Sequence, residues 1–170
     1  MFDVKRLLSD VFQPEAGETV TVAVDLPRDG VADTPAWQAR RAMAERWRTA
    51  LVEMGDATGF TVNPLVEVSA TGANNADLPA GGRMGGEDVD LRQTLEQSTL
   101  VLAMTQFSAT APLAHLADEV EDFRAASMPG VEERMENTAL AADYKKVAGR
   151  CLAIEEAMRY HGAYRDEETP

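Results

Sequence analysis

The 170-residue sequence has few of the residues that usually carry metal or nucleophilic chemistry, with one cysteine and two histidines. A single cysteine excludes an internal disulfide, and Cys151 has no cysteine or histidine beside it in the sequence with which to form a metal cluster. His115 and His161 fit no metal-ligand spacing such as HExxH. The sequence also contains no GxSxG turn around a serine and no glycine-rich phosphate-loop motif. It therefore predicts no metal site and no recognisable catalytic constellation in this chain.

Long apolar runs and an excess of positive charge are also missing. No segment approaches the roughly 18 apolar residues of a membrane span, and the opening "MFDVKRLLSDVF" lacks the apolar core of a signal peptide. The net charge is −13, and a surface of that sign repels phosphate groups. We therefore expect neither a nucleic acid nor a membrane as a partner. Together with the single cysteine, these features predict a cytoplasmic protein.

Strand and helix patterns alternate along the chain. Apolar, β-branched runs predict strands near residues 19–27, 60–69, 99–107 and 123–129. Apolar spacing of three and four predicts helices near 3–12, 35–54, 88–98 and 131–160, and a further helix within 108–122 that has Pro112 in its first turn. The alternation predicts an α/β fold, a doubly wound, mostly parallel four-stranded sheet with helices on both faces and a long C-terminal helix. Residues 1–160 would form a single domain and 161–170 a polar tail. Residues 71–87 read as a mobile loop or short hairpin, or alternatively as a loop that covers a substrate.

Polar side chains are frequent where the four predicted strands end. In an open α/β sheet, ligands bind beyond the carboxyl ends of the strands, where helix N-termini favour an anion. We therefore predict a ligand-binding edge for an anionic or nucleotide-like molecule, formed by Asp25, Arg28, Thr105, Ser108, Thr110 and Ser127. The alternative for the three residues that precede helices, Ser108, Thr110 and Ser127, is helix capping. The alternative for Asp25 is a turn or cap.

The last predicted helix carries a regular apolar pattern. Its members follow 4-3-4-3-4 spacing and form one narrow seam, made of Leu140, Tyr144, Val147, Cys151, Ile154 and Met158. We expect this seam to pack on the sheet, and the alternative is that Leu140, Tyr144 and Val147 belong to an interface with a partner subunit or a second domain. A helix of about 30 residues spans about 45 Å, more than a four-stranded sheet covers, so part of it should project.

The segments "LAMTQFSATAPLAHLA" and "RAASMPGVEERMENTALAADYKKV" resemble the N-terminal half of the leucyl aminopeptidase family of aminopeptidase T and aminopeptidase S type (peptidase family M29). Members share an arginine followed by Ser-Met-Pro-Gly, then a methionine and an Asp-Tyr pair, here Arg124, Ser127, Met128, Pro129, Gly130, Met135, Asp143 and Tyr144. The opening "LLSDVFQPEAGETVTVAVDLP" resembles the family's first helix, turn and strand. The likeness covers most of the chain loosely and residues 100 to 150 best.

This resemblance implies a homodimeric enzyme that removes N-terminal residues from peptides with two divalent metal ions of zinc or cobalt type. The family's metal ligands lie in a C-terminal domain, downstream of the region that matches, so no ligand is carried over to this chain. We therefore expect the N-terminal α/β domain of an aminopeptidase-like protein, either as a fragment of a longer enzyme or as a stand-alone relative without that activity. The alternatives are a small-molecule-binding domain that uses the strand ends, and a dimerisation or interaction module that uses the last helix.

Overall fold

The computed structural model describes residues 2–166, of which 144, 145 and 160–166 are described by their backbone alone. Its helices are α1 (Val4–Leu7, continued by a π-helical turn at Leu8–Phe12), α2 (Pro35–Thr58), α3 (Leu91–Glu96), α4 (Thr110–Glu119) and α5 (Tyr144–Asp166). Its strands are β1 (Thr19–Leu26), β2 (Thr61–Val62), β3 (Val66–Ser69), β4 (Gly81–Met84), β5 (Glu87–Asp90), β6 (Leu100–Met104) and β7 (Arg124–Ser127). Two 3₁₀ turns, Glu133–Asn137 and Ala139–Ala141, precede α5. Strands and helices therefore alternate as the sequence predicts, except from β2 to β5, where four strands follow one another without a helix.

The strands form one sheet in the order β5-β4-β3-β1-β6-β7, with the short β2 also paired to β1. Strands β1, β2, β3, β6 and β7 pair in parallel, whereas β4 is antiparallel to both β3 and β5. After β1 the chain crosses to β3 on one side, and it later returns to β6 on the other side. The carboxyl ends of β1 and β6 therefore flank the switch point, the place in the sheet where ligands of this fold class bind.

The two faces of the sheet pack against different helices. Alternate residues of the central strands point to opposite faces, so Val22 and Leu102 contact the α2 side, while Ala23 and Val101 lie on the side of α3 and α4. Helix α2 supplies the larger side chains of the core on its own side of the sheet, including the fully buried Met43, Trp47 and Leu51. The α/β class and the mostly parallel sheet are thus confirmed, and helices pack on both of its faces. Among the described residues, no helix combines the length and apolar character needed to cross a membrane.

The predicted number of four strands is wrong, because the described sheet contains seven. The predicted strand at 60–69 divides into β2 and β3 around Pro64, which has no N–H for the sheet. The glycine-rich segment contributes the hairpin β4–β5, one of the two forms predicted for it. Its turn uses Gly85 and Gly86 at φ of 62° and 92°, a conformation that glycine adopts readily. This hairpin makes the outer part of the sheet antiparallel.

The predicted helix at 131–160 is also wrong in its start, because α5 begins only at Tyr144. Before it, Met135 and Leu140 pack against the core on the α2 side from the 3₁₀ turns. Within α5, Val147 is 49% exposed and Met158 69% exposed, and the side chains of Cys151 and Ile154 are exposed as well. The seam therefore does not pack on the sheet over these residues. The side chain of Tyr144 lies outside the described residues.

Helix α5 continues to Asp166, so the first six residues of the predicted 161–170 tail have a helical backbone. The last four residues of that tail lie outside the described residues. The domain limit predicted at residue 160 therefore falls inside a continuous helix.

Candidate functional site

A buried carboxylate joins the two strand ends at the switch point. Asp25, in β1, is 2% exposed. Its Oδ1 accepts a hydrogen bond from Trp37 Nε1 at 2.7 Å, and its two oxygens accept the backbone N–H of Gln106 at 3.0 and 2.9 Å. These bonds tie β1 to α2 and to the segment that follows β6. Asp25 therefore uses its oxygens to hold together the floor of the predicted edge.

A buried arginine completes this network. Arg40, 3% exposed, donates from Nη1 to Gln106 Oε1 at 2.9 Å and from Nε to the carbonyl of Val131 at 3.0 Å. Burial raises the pKa of Asp25, although the bonds from Gln106 and Trp37 and the charge of Arg40 act to lower it. Burial also lowers the pKa of Arg40, and the charge of Asp25 acts against that change. Each charge therefore stabilises the other in a site with little access to water.

The hydroxyl of Thr105 is used locally. Thr105 is 8% exposed, and its Oγ1 donates to the carbonyl of Phe107 at 2.7 Å. Its own carbonyl accepts the N–H of Gly130 at 2.8 Å. Thr105 thereby shapes the turn that leads from β6 to α4 and connects it with the Ser-Met-Pro-Gly junction.

The N-terminus of α4 is closed by side chains from three segments. Ser127 Oγ accepts the N–H of Ala109 at 2.9 Å, and Ser108 Oγ accepts that of Thr110 at 3.2 Å. Asn75 Oδ1 accepts the N–H of Ala111 at 3.0 Å, and the next residue is a proline without an N–H. The N–H groups that could hold an anion are therefore already satisfied. Ser108 and Ser127 therefore cap the helix, which is the alternative to ligand binding that the sequence offers for them.

The loop after β3 is locked to this helix end. Asn74 Oδ1 accepts the N–H of Ser108 at 2.8 Å, and Ser108 Oγ donates to Asn75 Oδ1 at 3.1 Å. Ser108 Oγ and Thr110 Oγ1 lie 2.9 Å apart. Asn75 has a φ of 60°, a region that asparagine tolerates better than most residues. Asn74 and Asn75 are thus caps of α4.

Arg28 lies beside an open cleft of about 220 Å³ at the same edge. The cleft is lined mainly by apolar groups, including Val31, Trp37 and Phe107. The guanidinium of Arg28 covers Gly72 so closely that a Cβ there would lie 2.4 Å from Nη2. Arg28 forms no side-chain hydrogen bond or ion pair with another described residue. Of the six predicted edge residues, it is the one whose charge remains available to a ligand.

The residues in and just before the Ser-Met-Pro-Gly junction form contacts that hold neighbouring segments of the fold together. Arg124, at the start of β7, donates to the carboxylate of Glu18 with distances from 2.8 to 3.1 Å and to the carbonyls of Phe12 and Gln13. Burial acts to raise the pKa of Glu18, but the bonds from Arg124 and from the N–H of Glu15 bring that pKa below its usual value. Gly130 has a φ of 63° and turns the chain back below Thr105. The junction therefore connects β7, α4 and the N-terminal helix.

The structure brings the six predicted edge residues to one end of the sheet, with Arg28 at the cleft and the other five in two groups. Asp25 and Thr105 flank Gln106, whereas Ser108, Thr110 and Ser127 surround the start of α4. Sequence reasoning missed Arg40. Arg40 follows Trp37 by three residues, and that spacing puts both on one face of a helix. This spacing is the signal that could have identified it.

No protein-family model, curated protein or solved structure matches the chain. Among the described residues, no three His, Cys, Asp or Glu side chains are grouped so that they could hold a metal ion. The site's interpretation therefore depends on its geometry.

Proposed function

We propose that this chain is the N-terminal α/β domain of an aminopeptidase-like protein and does not itself carry the metal-binding catalytic centre. The observation that carries this proposal is the role of the residues behind the family resemblance. Arg124, Ser127 and Gly130 all maintain the fold, as expected where a shared motif specifies a scaffold. A scaffold of this kind positions a catalytic domain and shapes access to it.

The remaining parts of this proposal follow from the same resemblance. The two divalent ions, of zinc or cobalt type, would be bound by a separate C-terminal domain that acts on peptides. The partners would be that domain and a second copy of the chain. We place the protein in the cytoplasm because its composition, with a single cysteine, is typical of a reducing compartment.

The proposal predicts that the chain alone lacks metal-dependent aminopeptidase activity. The tag-free chain is mixed with leucine 4-nitroanilide and zinc or cobalt, and the release of nitroaniline is followed by absorbance. We expect no rate above that of the metal alone. We also expect the reading frame past Pro170 to encode a segment rich in Glu, His and Tyr that restores hydrolysis when it is joined to the chain. Clear hydrolysis by the isolated chain, or an inactive joined protein that binds both metals, would contradict the proposal.

The open cleft favours a second function, the binding of a small molecule with an anionic group and an apolar body. Arg28 supplies an unpaired positive charge at the rim, and Trp37 and Phe107 supply apolar surface beside it. A volume of about 220 Å³ matches an acylated amino acid better than a nucleotide. The cleft would hold the carboxylate at Arg28 and the side chain against the aromatic rings.

This second function predicts a specific role for Arg28. Titration calorimetry with N-acetyl-leucine should give a dissociation constant that rises about tenfold in Arg28→Ala. Arg83→Ala is the matched control, because it removes the same charge from the exposed hairpin β4–β5 and should leave the constant unchanged. Equal weakening by both substitutions, or no heat of binding to the unmodified protein, would reject the cleft as a binding site. Substitution of Ser108 or Thr110 is less informative, since both help to close the start of α4.

A further inference from the structure

Helix α5 presents apolar side chains to solvent along most of its length. Every described side chain from Lys146 to Arg159 is exposed, including Leu152 at 61%, Ile154 at 58% and Met158 at 69%. A 23-residue helix without tertiary contacts is marginal in water, since most helical stability in proteins comes from packing of an apolar face. The helix therefore needs a surface to pack against.

The spacing of these side chains is that of a coiled coil. Cys151 and Met158 are seven residues apart and occupy one heptad position, a, while Val147 and Ile154 occupy position d. Every one of these four side chains is exposed. Their repeat of 3.5 residues keeps a single seam facing one partner helix.

Charged residues beside the seam indicate what that partner is. Arg150 occupies position g and Glu155 occupies position e of the next heptad, five residues later. In two parallel helices in register, a g residue of one helix lies beside the following e residue of the other. Neither residue forms an ion pair with another described residue. In an antiparallel pair, g positions would instead face g positions, so Arg150 would not meet Glu155 across the seam.

We infer that α5 associates with α5 of a second copy of this chain, as a parallel, in-register helix pair. Val147, Cys151, Ile154 and Met158 form its core, and Arg150 pairs with Glu155 of the other copy on both sides of the seam. The two 3₁₀ turns before α5, anchored on the core by Met135 and Leu140, hold each helix at its base. The proposed function already names a second copy as a partner, and this inference adds the surface and the orientation, for which the evidence comes from α5 alone.

Sedimentation equilibrium of the full chain tests the association itself. We expect a dimer mass at concentrations on the order of 100 μM, with the dissociation constant raised at least about tenfold by Ile154→Glu. The matched control is Leu152→Glu, which adds the same charge at an equally exposed apolar position outside the seam and should change the constant little. Circular dichroism checks that each variant remains folded. A monomer mass for the unmodified chain, or equal effects of the two substitutions, would overturn the inference.

A charge exchange tests the orientation. Arg150→Glu and Glu155→Arg should each weaken the dimer, and the double variant should recover most of the lost affinity, because the pair is restored with reversed signs. Parallel pairing also brings Cys151, the chain's only cysteine, opposite its own copy, so a mild thiol oxidant such as diamide should yield a disulfide-linked dimer on a non-reducing gel. Failure of the double variant to recover, or no Cys151-dependent dimer under oxidation, would overturn the parallel arrangement.

Discussion

Replacing Asp25 by alanine should lower the free energy of unfolding by about 3–5 kcal/mol, because it leaves two donors without their acceptor and removes a negative charge that stabilises the buried guanidinium of Arg40. Arg40, 3% exposed, would lose the stabilising charge of Asp25. The indole N–H of Trp37 and the backbone N–H of Gln106 would lose their acceptor. Urea denaturation followed by circular dichroism measures the change. A loss of less than about 1 kcal/mol would show that water replaces the carboxylate, and that the site is open rather than closed.

Asp25→Asn isolates the charge from the shape of the side chain. The amide keeps one acceptor oxygen but points an N–H₂ group at a donor, so we expect a loss of about 1–3 kcal/mol at pH 7. Asp33→Asn is the control, since Asp33 pairs with Arg41 in an exposed position. Its substitution should have a much smaller effect.

The pH dependence of the Asp25→Asn difference has a definite sign. Burial raises the pKa of Asp25 above its usual value of 3.8, so the folded protein takes up a proton at a higher pH than the unfolded chain does. This contribution to stability is complete below pH 3.8 and disappears as the pH rises through the raised pKa. The unmodified protein should therefore gain stability relative to Asp25→Asn as the pH falls from 7 toward 4. A difference that shrinks on acidification would contradict a raised pKa.

The central strands could be predicted because their amino-acid composition is typical of buried strands. Residues 19–26 are β-branched or apolar apart from Asp25, residues 100–104 are apolar throughout, and β1 and β6 are buried on both faces of the sheet. The hairpin could not be assigned as strands in the same way. Its sequences, GGRM and EDVD, have almost no apolar alternation. They become strands through backbone pairing with β3, which is a tertiary effect.

The predicted start of the last helix was wrong for a related reason. Leu140 lies four residues before Tyr144, the spacing of a helix that continues into α5, so the pattern alone cannot show where the chain turns. In the structure, Trp47 and Arg46 on α2 bind the carboxylate of Glu136 and hold that segment in 3₁₀ turns. At the site, position along the chain identified the residues of the sheet edge. It could not separate Arg28, whose charge stays available, from Ser127, whose hydroxyl caps a helix.

Trp47→Ala should lower the free energy of unfolding by about 3–5 kcal/mol, the range for removing a large buried aromatic side chain. Trp47 is 1% exposed in the core on the α2 side, and its Nε1 donates to Glu136 Oε1 at 3.0 Å. Glu136 is itself 9% exposed. The substitution therefore opens a cavity and also removes a donor from a buried carboxylate. Urea denaturation gives the total loss.

Trp47→Phe separates these two effects, because phenylalanine fills most of the space but offers no N–H. We expect it to cost about 1–2 kcal/mol, since Arg46 still reaches Glu136. Amide hydrogen exchange should then increase at residues 133–141 and stay nearly unchanged in β1 and β6, because the lost bond holds only that segment against α2. Unchanged exchange at 133–141 would show that Met135 and Leu140 hold the segment by packing alone. In that case Glu136 would not be the anchor at the base of α5.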